Sequence, residues 1–177
     1  MNGAGLALPI VTLSEAQAYV RIETGEEEAL VAGLIRTASA LCEAFINQVV
    51  IARPFSCELP ASGCWERLPV TPVRAISDVN GLDSSGAATP LPSGGFTVDI
   101  DFNGDGWVRT PPAGGISRVQ VSGTAGIASD ENGVPEPIRQ GVLRLVSHLF
   151  TARDGEGGEV PAAVTALWRP YRRMRLA

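Results

Sequence analysis

The stretch FTVDIDFNGDGW, Phe96 to Trp107, decides how the middle of this chain folds. Asp99, Asp101 and Asn103 stand at alternate positions and Gly104 follows, the opening of a calcium loop in which oxygen ligands wrap a hard cation. The same letters also spell a β-hairpin. Phe96, Val98, Ile100 and Phe102 fall on one face of a strand, and Thr97, Asp99 and Asp101 on the other. Asn103-Gly104-Asp105-Gly106 then supplies residues that tolerate a tight turn. Two features favour the hairpin. The twelfth position of the calcium pattern, where a bidentate Glu belongs, is Thr110, and no helical pattern flanks the loop. The expectation is a half-buried hairpin with no metal site.

Outward from the hairpin, residues 51–128 are dense in proline and glycine and lack helical periodicity. Short β-prone runs recur, WERLPV, VRAISDV, GFTVDIDF, WVRT and SRVQVSG, separated by NGLDSSGAA and PSGG turns. They predict a small antiparallel β module inserted between helices.

Before it, Thr12 or Ser14 can cap a helix, with Glu15 or Gln17 three residues on. SEAQAYVRI is that helix, ending before Thr24-Gly25. A second begins in Glu26-Glu27-Glu28, where negative charge suits the helix dipole. Leu30, Leu34, Ala38, Leu41 and Phe45, joined by Ile35 and Cys42, form its apolar stripe, and Pro54 forbids continuation. After the module, Pro135 and Pro137 open a helix. Its stripe is Ile138, Val142, Leu145, Val146 and Leu149, with His148, the one histidine, on the polar side. Asp154-Gly155 ends it, DGEGGE is a loop, and Pro161 opens a last short helix that Pro170 stops. The fold class expected is α+β: a helical bundle core of two N-terminal and two C-terminal helices, spanning 12–50 and 134–168, with the β insertion at 51–128. The 177 residues suit a single domain.

Composition narrows the function. Hydrophobic residues at 45% and charged residues at 19% suit a folded globular chain. No apolar run approaches the roughly 20 residues of a membrane span, and the start of the chain does not read as a signal peptide. The net charge of −5 argues against a general nucleic-acid binder. All 14 basic residues are arginine, and Arg169, Arg172, Arg173 and Arg175 crowd the last nine positions. Cys42, Cys57 and Cys64 suit a reduced compartment, Cys42 as a core thiol. Catalytic patterns are missing. There is no second histidine for a triad, no GxSxG, and no lysine for a phosphate loop. The Asp99–Asp101 pair stands where nothing would raise one pKa for acid work. An enzyme is not expected, nor a cofactor.

The order of the pieces resembles a family. LSEAQAYVRIETGEEEALVAGLIRTASALCEAFINQVVI looks like the opening of phage head–tail connector proteins: a short capped helix, an acidic stretch, then a long helix. WERLPVTPVRAISDV, VPEPIRQGVLRLVSHLFTARD and VPAAVTALWRPYR continue the resemblance, which covers about 12–173 and extends to the adaptor of phage-like gene transfer agents. Asn47-Gln48 stands where the family often has Gly-Arg, which puts the local turn in question. The resemblance implies a structural adaptor in the neck of a virion or gene transfer agent particle, assembled in the host cytoplasm. Its partners would be a homo-oligomeric ring, commonly of twelve subunits, a portal protein, and a tail or stopper. DNA would pass through the ring without sequence-specific binding, and no membrane is involved. In that setting the Arg-rich tail, 169–177, is expected to dock the portal through Trp168, Arg169, Tyr171, Arg172, Arg173 and Arg175. The competing reading is a soluble β-rich binding module, calcium-dependent if the hairpin holds an ion.

Overall fold

The structure is a computed structural model and describes residues 4–22, 27–112, 116–152 and 159–174. The chain divides into two compact units. One comprises residues 1–5 and 52–126, the other 6–51 and 127–177.

The second unit is helical. Helix α1 spans Leu13–Val20, α2 Glu28–Ile46, α3 Glu136–Thr151 and α4 Ala162–Trp168. Of the two candidate caps for α1, Thr12 is the one used. Its hydroxyl accepts the Glu15 N–H at 3.2 Å, and the Glu15 carboxylate accepts the Thr12 N–H at 2.9 Å. This capping box satisfies two donors that a helix start leaves unpaired. Helix α2 ends at Asn47, whose N–H still bonds the Glu43 carbonyl and whose left-handed backbone (φ 57°) turns the chain so that the Gln48 N–H reaches the same carbonyl at 3.4 Å. Asparagine tolerates that conformation better than most side chains, so the turn forms without the family's glycine.

The buried stripe of α2 is Val31, Ile35, Ala38, Ser39, Cys42 and Ile46. The predicted face was therefore rotated. Ile35, Ala38 and Cys42 are inside as expected, Leu34 and Phe45 are half-buried, and Leu30 and Leu41 are exposed. By length and apolar character α2 is comparable to a membrane span, contrary to the reading of the sequence. Its stripe instead joins one cluster with Ile138, Val142, Leu145 and Val146 of α3 and Val164 and Trp168 of α4.

The first unit is a β structure with its own core. Strands β1 (Arg53–Pro60), β7 (Arg118–Ala125), β3 (Val73–Leu82) and β4 (Ala88–Pro90) form one antiparallel sheet in the order β1-β7-β3-β4. Strands β2 (Trp65–Arg67), β6 (Gly106–Arg109) and β5 (Thr97–Ile100) form a second, in the order β2-β6-β5. Phe55, Cys57, Val79, Val119 and Val121 are buried in the first sheet, and Leu68 and Val108 beside the second. Gly123 in the central strand β7 has a structural reason. A Cβ there would run into the Ala75 carbonyl and the Phe55 ring, where β3 bulges.

The expectation of a helical bundle core with a small β insertion is therefore overturned. Among the described residues, seven strands in two antiparallel sheets make up a unit comparable to the helical one. The sequence reading missed β1 and β4. Strand β1 contains Pro54, read as the stop of α2, and also Pro60, but it lies at a sheet edge, where a missing N–H costs no ladder bond. The expected end of α3 at Asp154-Gly155 and the DGEGGE loop up to residue 158 fall outside the described residues, as does the start of the acidic run at Glu26.

Candidate docking surfaces

The C-terminal segment begins inside the helical unit. Trp168 closes α4 and is 0% exposed. Its indole Nε1 donates to the Ile138 carbonyl at 3.2 Å, and its ring meets Phe45 at 5.9 Å between centroids. The residue expected to anchor in a partner's groove is thus anchored in its own chain. A tight turn, Arg169–Tyr171, then leads the backbone along the end of α2. Gln48 Nε2 donates to the Tyr171 carbonyl at 2.5 Å, and the Arg173 N–H donates to the Ile46 carbonyl at 2.9 Å. The latter bond satisfies one of the carbonyls left open at a helix C-terminus. The Arg172 guanidinium lies 5.4 Å from the centre of the Phe45 ring, in cation–π range.

The segment through Met174 therefore lies on the helical unit. Arg169 and Arg172 are exposed, while Tyr171 and Arg173 are half-buried. Arg175 lies outside the described residues. The structure brings Tyr171, Arg172 and Arg173 together at the end of α2 and separates Trp168 from them by burial. The neighbouring arginines gave no sign of that burial. The signal was Gly141 one helix away, which leaves room for the indole.

The second surface is the hairpin of β5 and β6. Asp101 Oδ1 accepts the N–H groups of Asn103 at 2.8 Å and Asp105 at 3.0 Å. The Asp105 carboxylate takes Arg67 Nη2 at 2.5 Å and the Thr71 hydroxyl at 3.0 Å. These are turn-building and ion-pair roles rather than a cage of convergent oxygens, and no group of three or more metal-ligating side chains gathers among the described residues. The strand differs from expectation in one respect. All four residues of β5 are exposed, so the face that carries Val98 and Ile100 is not half-buried.

Cys57 sits on β1 with its thiol toward the Val121 carbonyl, and burial pushes its pKa up to about 11. Cys42 is raised further by burial in the α2 stripe, with the charge of Glu43 adding to it. Cys64 is exposed.

No family model and no curated protein matches the chain. Solved structures do. A chain in the neck of an empty gene transfer agent particle, computed with C6 symmetry, is similar over 100% of this chain and 97% of its own, with TM-score 0.79 and 25% identity. A chain of the native gene transfer agent virion matches with TM-score 0.78 and 24% identity, again over 100% and 97%. A chain in the native neck computed with C12 symmetry matches with TM-score 0.77 and 24% identity over the same shares. The motifs that suggested head–tail connectors and the fold of the whole chain thus lead to the same place: the chain has the fold of a protein in the necks of gene transfer agent particles.

Proposed function

We propose that the protein is a structural head–tail adaptor, forming a ring beneath the capsid portal, joining it to the tail or stopper, and leaving a channel for DNA. The observation that carries this reading is the likeness over the full chain to gene transfer agent necks, two of them computed with C6 or C12 symmetry. The role is architectural, with no catalysis. The net charge of −5 supports passage rather than capture of DNA, since each basic phosphate contact adds a salt-dependent grip.

The portal contact is assigned to the exposed arginines of the C-terminal segment, Arg169 and Arg172, with Tyr171, Arg173 and Arg175 beside them. Guanidinium forks bind carboxylates with fixed geometry. Trp168 contributes by pinning the segment to the helical unit.

The test is to mix the protein with its particle's portal and image the complex. A ring of adaptor density under the portal is expected, and Arg169→Glu should weaken it while the protein stays folded. A portal that stays bare at saturating adaptor would overturn the reading. Full binding by the Arg169→Glu, Arg172→Glu double variant would move the portal contact elsewhere.

A further inference from the structure

The β5–β6 hairpin carries an apolar alternation that its own chain covers only in part, and at Phe102 hardly at all. Val98 is 40% exposed and Ile100 37%, and Phe102 at the turn is 98% exposed. Phe102 is not on a loose loop. The Asp101 carboxylate holds the turn through two backbone N–H groups. Gly104, at φ 77°, accepts the Val73 N–H at 2.7 Å, and a Cβ on it would lie 2.7 Å from Pro72 Cβ. The aromatic side chain is thus presented on a fixed backbone, so little ordering remains to be done on binding.

The helical unit carries a complementary feature. A groove of about 380 Å³ runs between the segment before α1 and the flank of α2, lined by Leu8, Val11, Ala32 and Ile35. Its size and apolar lining are those of a binding pocket. Arg36 and Glu131 supply its charged lining, and Arg36 is exposed. Asp99, on the same hairpin as Phe102, is exposed and opposite in sign to Arg36.

A ring made by repeating one contact needs two different surfaces on each chain, because such a contact is heterologous. This chain carries a projecting apolar side chain on one unit and an apolar groove on the other. We propose that Phe102 of one copy seats in the groove lined by Val11, Ala32 and Ile35 of the next copy. The inference rests on the ring reading above and names the surface that closes the ring.

The test uses rings assembled on the portal. In a Cys64→Ser background, Phe102→Cys and Ala32→Cys are combined and treated with a short bismaleimide. A ladder of linked multimers is expected with the pair and not with either cysteine alone. Rings visible by electron microscopy that give no ladder overturn the contact and leave the ring reading standing. A ladder from Phe102→Cys alone also overturns it, because hairpins would then meet hairpins. Wild-type protein that forms no ring on the portal overturns both. Phe102→Ser supplies a second measurement. Its melting temperature should be unchanged, and the concentration needed for ring assembly should rise at least tenfold. Unchanged assembly overturns the proposal, and so does loss of single-subunit binding to portal with ring closure intact.

Discussion

Gly141 lies directly beneath the indole of Trp168, so close that a Cβ at position 141 would overlap the ring nitrogen. In an exposed helix, Gly→Ala gains roughly 0.5–1 kcal/mol. Here the sign should reverse. Gly141→Ala must displace a fully buried Trp168 and its bond to the Ile138 carbonyl, an overpacking cost of about 1–3 kcal/mol. Urea unfolding checks it, and an alanine variant more stable than wild type would refute the packing described for α3 and α4.

Leu145 and Leu34 separate a true core position from a flank. Leu145 is wholly buried and Leu34 only half-buried. Leu145→Ala should cost about 2–5 kcal/mol through lost transfer energy and a cavity. Leu34→Ala should cost clearly less. Equal losses by chemical denaturation would mean that α2 is rotated from its described phase.

Glu15 ties stability to pH. The Thr12 N–H, then the Thr12 hydroxyl and the Arg139 guanidinium, hold its carboxyl below the ordinary 4.5, against an opposing push from burial. A depressed folded pKa means the contribution is complete above the unfolded value and is lost as pH falls through the folded one. Glu15→Gln should therefore be less stable than wild type at pH 7, with the two curves converging in acid below 4.5. Parallel curves over that range would remove Glu15 from the acid response.

Thiol labelling tests both cores at once. With Cys42 and Cys57 buried and their pKa values raised, only Cys64 should react with iodoacetamide at pH 8 in the native protein. Two further labels should appear on unfolding. Native labelling of Cys57 by mass spectrometry would show that β1 opens away from β7.

Where local chemistry decides structure, the sequence was readable. The Thr12–Glu15 box, the proline starts of α3 and α4, and the hairpin at Asn103-Gly104 follow from short-range hydrogen bonds and backbone limits. The phase of α2 was harder, because Leu30, Leu34 and Leu41 are as apolar as Val31, Ile35 and Cys42, and periodicity alone cannot choose between two apolar faces. Strand β1 was hidden because its prolines are tolerated only at an edge, and edge position is a property of the sheet. Trp168 looked like part of the basic tail because its burial depends on Gly141, 27 positions earlier in the chain. For the candidate docking surfaces, the arginines were legible as a cluster. The exposed face of β5 was not, since its alternation is the same one that a covered strand would show.

The helical unit is discontinuous along the chain, its halves separated by residues 52–126. During synthesis α2 therefore emerges well before α3, which supplies the facing side chains Ile138, Val142 and Leu145. At about 5–20 residues per second, the intervening 75 residues take roughly 4–15 s to be made. Throughout that interval the stripe Val31, Ile35, Cys42 and Ile46 has no native partner from α3. A chaperone that holds apolar helices has its window there, and a translation pause within residues 52–126 would lengthen the exposure of α2 to neighbouring nascent chains.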